Sequence, residues 1–227
     1  MNKFKFYLAE ERFKGIELEP EPAINCIPEW YRKMESYHGG QVSIDDNGAT
    51  SLTAKKCVPM FDAMTSGYLI KLPIDVLFKN GAPSWTSNVS KVMAHKAFQV
   101  EGMPMPPGFA DYLLKWENQW VIKTPPGYST MFFHPTLRND APFFSFSGTV
   151  DTDVWNLPIH FPFLIRNNYS GIIERGTPII QAVPFKREAW SKENGGDFKD
   201  IRQEITRHFA YIKNHYRNKF WNKKQYR

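Results

Sequence analysis

From Trp116 onward the chain is a succession of short apolar runs cut by turn residues. WVIK (120–123), YSTMFF (128–133), FFSFSGTV (143–150), HFPFLIRN (160–167) and TPIIQAVPF (177–185) are separated by TPPG, HPTLRNDAP, DTD, NNYSG and ERG. Runs of this length and spacing, with no helical period between them, predict an all-β sandwich or barrel-like domain. Aromatic residues make up 15% of the chain and prolines number 17, which agrees with many short strands rather than a helical bundle.

The first half is less regular. FKFYLAEERFKGIELEP reads as one or two strands, and CIPEWYRKM as a short helix with Pro28 at its first turn. HGGQVSIDDNGAT (38–50), KNGAPSWTSNVSK (79–91) and EGMPMPPG (101–108) read as loops, and GYLIKLPIDVLF as strand interrupted at Pro73. This divides the chain into an N-terminal strand and loop region (1–115), a β core (116–190) and a tail. No apolar run reaches the roughly 20 residues of a membrane span, and the N-terminus lacks the apolar stretch of a secretory signal. The two cysteines, Cys26 and Cys57, have no paired spacing, so both are expected as reduced thiols in an intracellular protein.

The tail changes period. Phe198, Ile201, Ile205, Phe209, Ile212, Tyr216 and Phe220 fall at steps of three and four, which predicts one amphipathic helix over 197–222. Asp197 is its expected N-cap. From 201 to 227 there are eight Lys/Arg and one acid, so this segment carries the basic balance of a +6 chain. Arg207, Lys213, Arg217, Lys219, Lys223 and Lys224 are interleaved with aromatic residues. That mixture suits three roles: an apolar face packed on the β domain, contact with an acidic protein partner, or phosphate and base contacts on a nucleic acid.

Asp151 and Asp153, in GTVDTDVW, stand two apart and share a face if the backbone is extended. Two readings stay open. Asp151 orients a water for attack on a phosphoanhydride, with Mg²⁺ held by nucleotide phosphates. Alternatively, the Asp-Thr-Asp segment caps a tight turn. His134 and His160 lack H-x-H or H-x-D spacing, and no metal ligand is assigned to them.

The order of these motifs resembles the core of the dUTPase and dCTP-deaminase superfamily. In that family a proline-glycine turn leads into a strand, a "G-V-I-D-x-D-Y" turn follows, then a strand ending in Asn, then "G-x-x-I-A-Q". Gly148, Val150, Asp151 and Asp153 stand in the first signature, Asn167 at the strand end, and Gly176, Ile179 and Gln181 in the second. The resemblance covers residues 119–187 and implies a mainly β, β-clip (dUTPase-like) core with a C-terminal amphipathic helix, commonly trimeric. It implies Asp151 and Asp153 as catalytic positions, and Arg138, Trp155, Asn167 and Gln181 as ligand-binding ones. Mg²⁺ is the implied cofactor if the chain acts on nucleotides.

The chain departs from that pattern at HPTLRNDAP, where the family has a phosphate-binding helix start and here only Arg138 offers a charge. A basic helix also replaces the family's glycine-rich closing arm. The whole chain resembles proteins of tailed bacteriophages, especially those of cyanobacteria, which implies the host cytoplasm or the virion as its place. The departures favour a non-catalytic interaction or structural module, as a homo-oligomer or with a viral or host protein partner. A deoxynucleotide-binding or nucleotide-hydrolysing enzyme is the alternative. A nucleic-acid accessory protein acting through the basic helix is the third reading.

Overall fold

The computed structural model describes residues 2–43, 51–84, 91–196, 199, 202, 203, 205 and 215–227. It is mainly β, with 30% strand against 18% helix. The packing divides the chain into two units. The first holds residues 1–26, 66–187 and 226–227, and the second holds 27–65 and 188–225. The first unit interleaves early and late segments of the chain.

The largest sheet of the first unit has five antiparallel strands. Its centre is β14 (Pro178–Lys186), which pairs with β3 (Tyr68–Lys71) on one side and β9 (Tyr128–Phe133) on the other. β11 (Gly148–Val150) closes the β9 edge and β2 (Glu21–Pro22) the β3 edge. A four-stranded sheet runs β10 (Phe143–Ser145), β12 (Phe161–Ile165), β7 (Leu114–Trp116), β6 (Val92–Ala94). A third has β13 (Gly171–Ile173), β4 (Val76–Lys79) and β5 (Ala82–Ser84), and β1 (Lys5–Leu8) pairs with β8 (Trp120–Lys123).

Alternation produces the core. In β12, Phe161, Phe163 and Ile165 face inward, and Trp116 of β7 stacks on Phe163 with centroids 3.8 Å apart and planes 5° off parallel. Phe143 meets the Trp116 ring edge-on. Ile70, Phe78, Ile122, Phe132 and Ile180, from five further strands, complete this cluster. Burial of such side chains at roughly 1.5–3 kcal/mol each is what holds short strands together. The expected runs on either side of the proline-glycine turn are strands, and one later run is split. WVIK and YSTMFF are both strands, but they do not pair with each other: β8 goes to β1, and β9 to β11 and β14. FFSFSGTV is two strands, β10 and β11, which enter different sheets.

In the second unit, α1 (Glu29–Lys33) follows Pro28, α2 spans Val58–Thr65, and α3 spans His215–Lys219. Most of the helix expected over 197–222 falls outside the described residues, Arg207 and Lys213 with it. Its described end departs from expectation. Regular helix stops at Lys219, and the N–H groups of Phe220 and Trp221 both reach the Tyr216 carbonyl. Just beyond it, the Trp221 indole N–H is shared between both oxygens of Asp62 at 3.0 and 2.9 Å, with Lys224 Nζ on the same carboxylate at 2.7 Å. The apolar stripe does not close over its last turn either, since Tyr216 is 46% and Phe220 51% exposed.

Candidate functional site

The Asp-Thr-Asp segment follows β11 and is a turn: the N–H groups of Val154 and Trp155 both donate to the Asp151 carbonyl, at 3.1 and 2.9 Å. Alternation nevertheless survives. Thr152 points into the interior, and both aspartates point to the guanidinium of Arg187, the residue after β14.

Asp153 is engaged on both oxygens. Arg187 Nη1 donates to Oδ1 at 2.9 Å, Arg187 Nη2 donates to Oδ2, and the Gly127 N–H donates to Oδ2 at 2.9 Å. Its side chain is 7% exposed. The Arg187 guanidinium holds the carboxyl well below the usual carboxylate range. Arg187 in turn is pushed upward by the same pair, so the ion pair is maintained throughout the neutral range.

Asp151 is different. Its side chain is 59% exposed. Oδ1 accepts the Ser129 hydroxyl at 2.6 Å and lies 3.2 Å from Arg187 Nη1, and among the described residues no donor reaches Oδ2.

Under the turn lies a chain of buried hydroxyls. Thr124 Oγ1 donates to the Tyr128 carbonyl at 3.0 Å. A hydroxyl has one proton, so Thr152 must donate to Thr124, and Thr130 to Thr152, each at 2.8 Å. Lys123 Nζ fixes the far end of the turn from above. It donates to the Asp153 and Trp155 carbonyls at 2.9 and 3.1 Å and to Asn156 Oδ1 at 2.8 Å. The turn is closed by the Asp151 carbonyl, and the Asp153 carboxylate bonds the Gly127 N–H of the neighbouring turn.

Asp151 borders a cleft of about 650 Å³, lined also by Val150, Val154, Trp155, Ile159 and His160. Burial lowers the His160 pKa, against an opposing pull from Glu117 and with Lys115 and Lys91 adding to the fall. Among the described lining residues, Asp151 is the one carboxylate. Of the six residues of the β core named from the sequence, Asp151 and Trp155 meet here, and Asp153 stands behind them.

The others are elsewhere. Arg138 donates to the Cys26 carbonyl and borders a second cavity, of about 510 Å³, with Arg175 and Glu174. Asn167 is exposed in the turn after β12, its N–H on the Gly108 carbonyl at 3.0 Å. Gln181 is fully buried at the centre of the large sheet. Its amide donates to the Ser66 carbonyl at 2.7 Å and accepts the Thr136 N–H at 3.0 Å. That is backbone bracing, since a residue facing inward on a central strand has no access to a ligand.

His134 is half-buried. Nδ1 accepts the Ser145 N–H at 3.2 Å, which leaves Nε2–H to donate to the Arg138 carbonyl at 3.2 Å. Burial lowers its pKa, so it is neutral and spent on backbone. Among the described residues no group of three His, Cys, Asp or Glu is placed to hold a metal ion. Of the described tail cations, Lys224 is bound to Asp62, Arg217 lies over the Trp221 ring at 5.8 Å, and Lys219 and Lys223 are exposed.

Arg187, Gly127, Ser129 and Lys123 carry the site and are not marked in the sequence. Arg187 arrives through register: β14 pairs Lys186 with Tyr128, which sets the next residue beside the proline-glycine turn. No family model matches the chain, and no curated protein matches it.

Proposed function

We propose that the chain is a non-catalytic interaction or structural module built on a dUTPase-like β-clip scaffold, of the kind carried by tailed bacteriophages. It would act in the host cytoplasm or the virion, as a homo-oligomer or with a viral or host protein. The observation that carries this reading is the Arg187–Asp153 pair. A carboxylate with both oxygens bonded and its ionisation locked by a guanidinium is a poor proton acceptor. Arg138, the one cation available for phosphate on the motif pattern, lines a different cavity from Asp151.

One observation favours a second reading. Asp151 keeps Oδ2 unbonded beside the half-exposed indole of Trp155, an arrangement able to take a deoxynucleotide with Mg²⁺ on its phosphates. Thermal unfolding with deoxynucleoside di- and triphosphates and Mg²⁺ separates the two. The scaffold reading expects no change in melting temperature. A rise that Asp151→Ala abolishes would overturn it, since ligand at 100 times Kd stabilises by about 2.7 kcal/mol.

A further inference from the structure

We propose that the cleft beside β11 docks an extended basic peptide segment of a partner protein. The segment adds a strand to the open edge of β11 and lays a Lys or Arg side chain between Asp151 and Trp155. This rests on the interaction-module reading and names the partner's chemistry.

The first support is the edge. β11 ends the five-stranded sheet, with β9 on one side and no strand on the other among the described residues. It carries Gly148, Thr149 and Val150, in regular register and without a charge, proline or bulge. Charges, prolines and bulges keep edge strands from pairing with another chain; without them, the groups of these three residues that face away from β9 can accept a short extended segment, apart from the Val150 carbonyl, which takes the Thr152 N–H at 2.9 Å.

The second is the cleft, which begins at this edge. Thr149 and Val150 form one wall, and the 154–160 segment forms the other. Apart from Thr149, Asp151 and His160, the side chains that line it are aliphatic or aromatic. An apolar trough with one carboxylate fits a long aliphatic stem ending in a cation. Oδ2 of Asp151 has no donor among the described residues, so a guanidinium or ammonium adds a charge-assisted bond without displacing Ser129 or Arg187. The Trp155 indole, 45% exposed in the same lining, is an aromatic surface of the kind that attracts a cation. An acidic segment or a phosphate backbone would meet Asp151 with like charge.

The third is rigidity. Lys123 ties the carbonyls of Asp153 and Trp155, and the Asp151 carbonyl ties the N–H groups of Val154 and Trp155. The wall is already formed, so docking does not need to order it.

Selection of a displayed random heptapeptide library on the full chain tests this. Enriched sequences should place Lys or Arg two residues from a β-branched or aromatic residue. A fluorescein-labelled version of the leading sequence should bind wild type about tenfold more tightly than Asp151→Asn or Trp155→Ala, a difference of about 1.4 kcal/mol. Both variants leave the Arg187–Asp153 pair in place, and their melting curves check that they fold. Amide shifts on binding should fall on Gly148–Asp151. No enrichment over Asp151→Asn, acidic consensus sequences, or shifts confined to other strands would each overturn the proposal. Those failures leave the scaffold reading intact, because only a nucleotide response that depends on Asp151 removes that reading.

Discussion

The ammonium of Lys91 and the carboxylate of Glu17 meet in the interior of the first unit, with side chains 0% and 3% exposed. Lys91 Nζ also lies 4.9 Å from the centre of the Phe13 ring. This pair fastens the segment after β1 to the strand edge at β6. A buried pair is costly to break and cheap to replace, because removal of one partner strands the other charge out of water. Glu17→Gln or Lys91→Met alone should therefore lower unfolding free energy by about 3–5 kcal/mol, while Glu17→Leu with Lys91→Met should cost much less. Urea denaturation of the three variants decides it; equal losses in single and double variants would contradict the assignment.

Asp153 sets an acid limit. Its folded-state pKa is depressed by Arg187 below the unfolded value of about 3.9, so its contribution is present above that value. It is lost as pH falls from about 4 towards the folded pKa. Arg187→Met removes the contribution. Melting temperatures of wild type and variant should differ by a constant amount from pH 5 to 8 and converge as pH falls below about 4. A gap that widened on acidification would show the sign to be wrong.

Gln181 is expected to be a structural amide rather than a ligand contact. Gln181→Leu removes the bond to the Ser66 carbonyl and takes the side-chain acceptor from the Thr136 N–H, at roughly 1–3 kcal/mol for a group left unsatisfied. Gln181→Glu keeps an acceptor for Thr136 but turns an oxygen on the Ser66 carbonyl, and should destabilise at neutral pH and recover partly in mild acid. Chemical denaturation at two pH values measures both effects.

Two glycines separate backbone strain from crowding. Gly127 has φ +82° and open space around it, so Gly127→Ala should cost about 1–2 kcal/mol for the left-handed conformation alone. Gly67 has φ +71°, and a Cβ there would overlap the Ala182 carbonyl oxygen and crowd Val183. Gly67→Ala must push β14 away and should cost clearly more. Parallel melting curves give the ranking.

The strand-rich class was legible because alternation and turn residues are local signals, and WVIK, YSTMFF, FPFLI and PIIQAVPFK all lie where their patterns put them. Partners were not legible. Nothing in WVIK says that its neighbour is β1 rather than β9, because the choice is made by core packing across more than 100 residues of sequence. β7 and β13 escaped notice because three residues are too few to establish a period. At the site, Asp151 and Asp153 stood out as a same-face pair, and Thr152 between them does face the other way. Arg187, which decides what Asp153 can do, sits in FKREAW with no local mark; only the β9–β14 register makes it part of the turn.

The place of β14 also sets a timetable. It is the strip that joins β3 to β9, yet it is made about a hundred residues after β3, and non-local pairing of that kind slows folding. During synthesis Leu69 and Ile70 emerge from the ribosome long before Ile180 and Gln181 exist to cover them. The nascent chain must carry an open, apolar strand through about half of its own translation. A partly made chain in that state is prone to aggregate until β14 covers the strand.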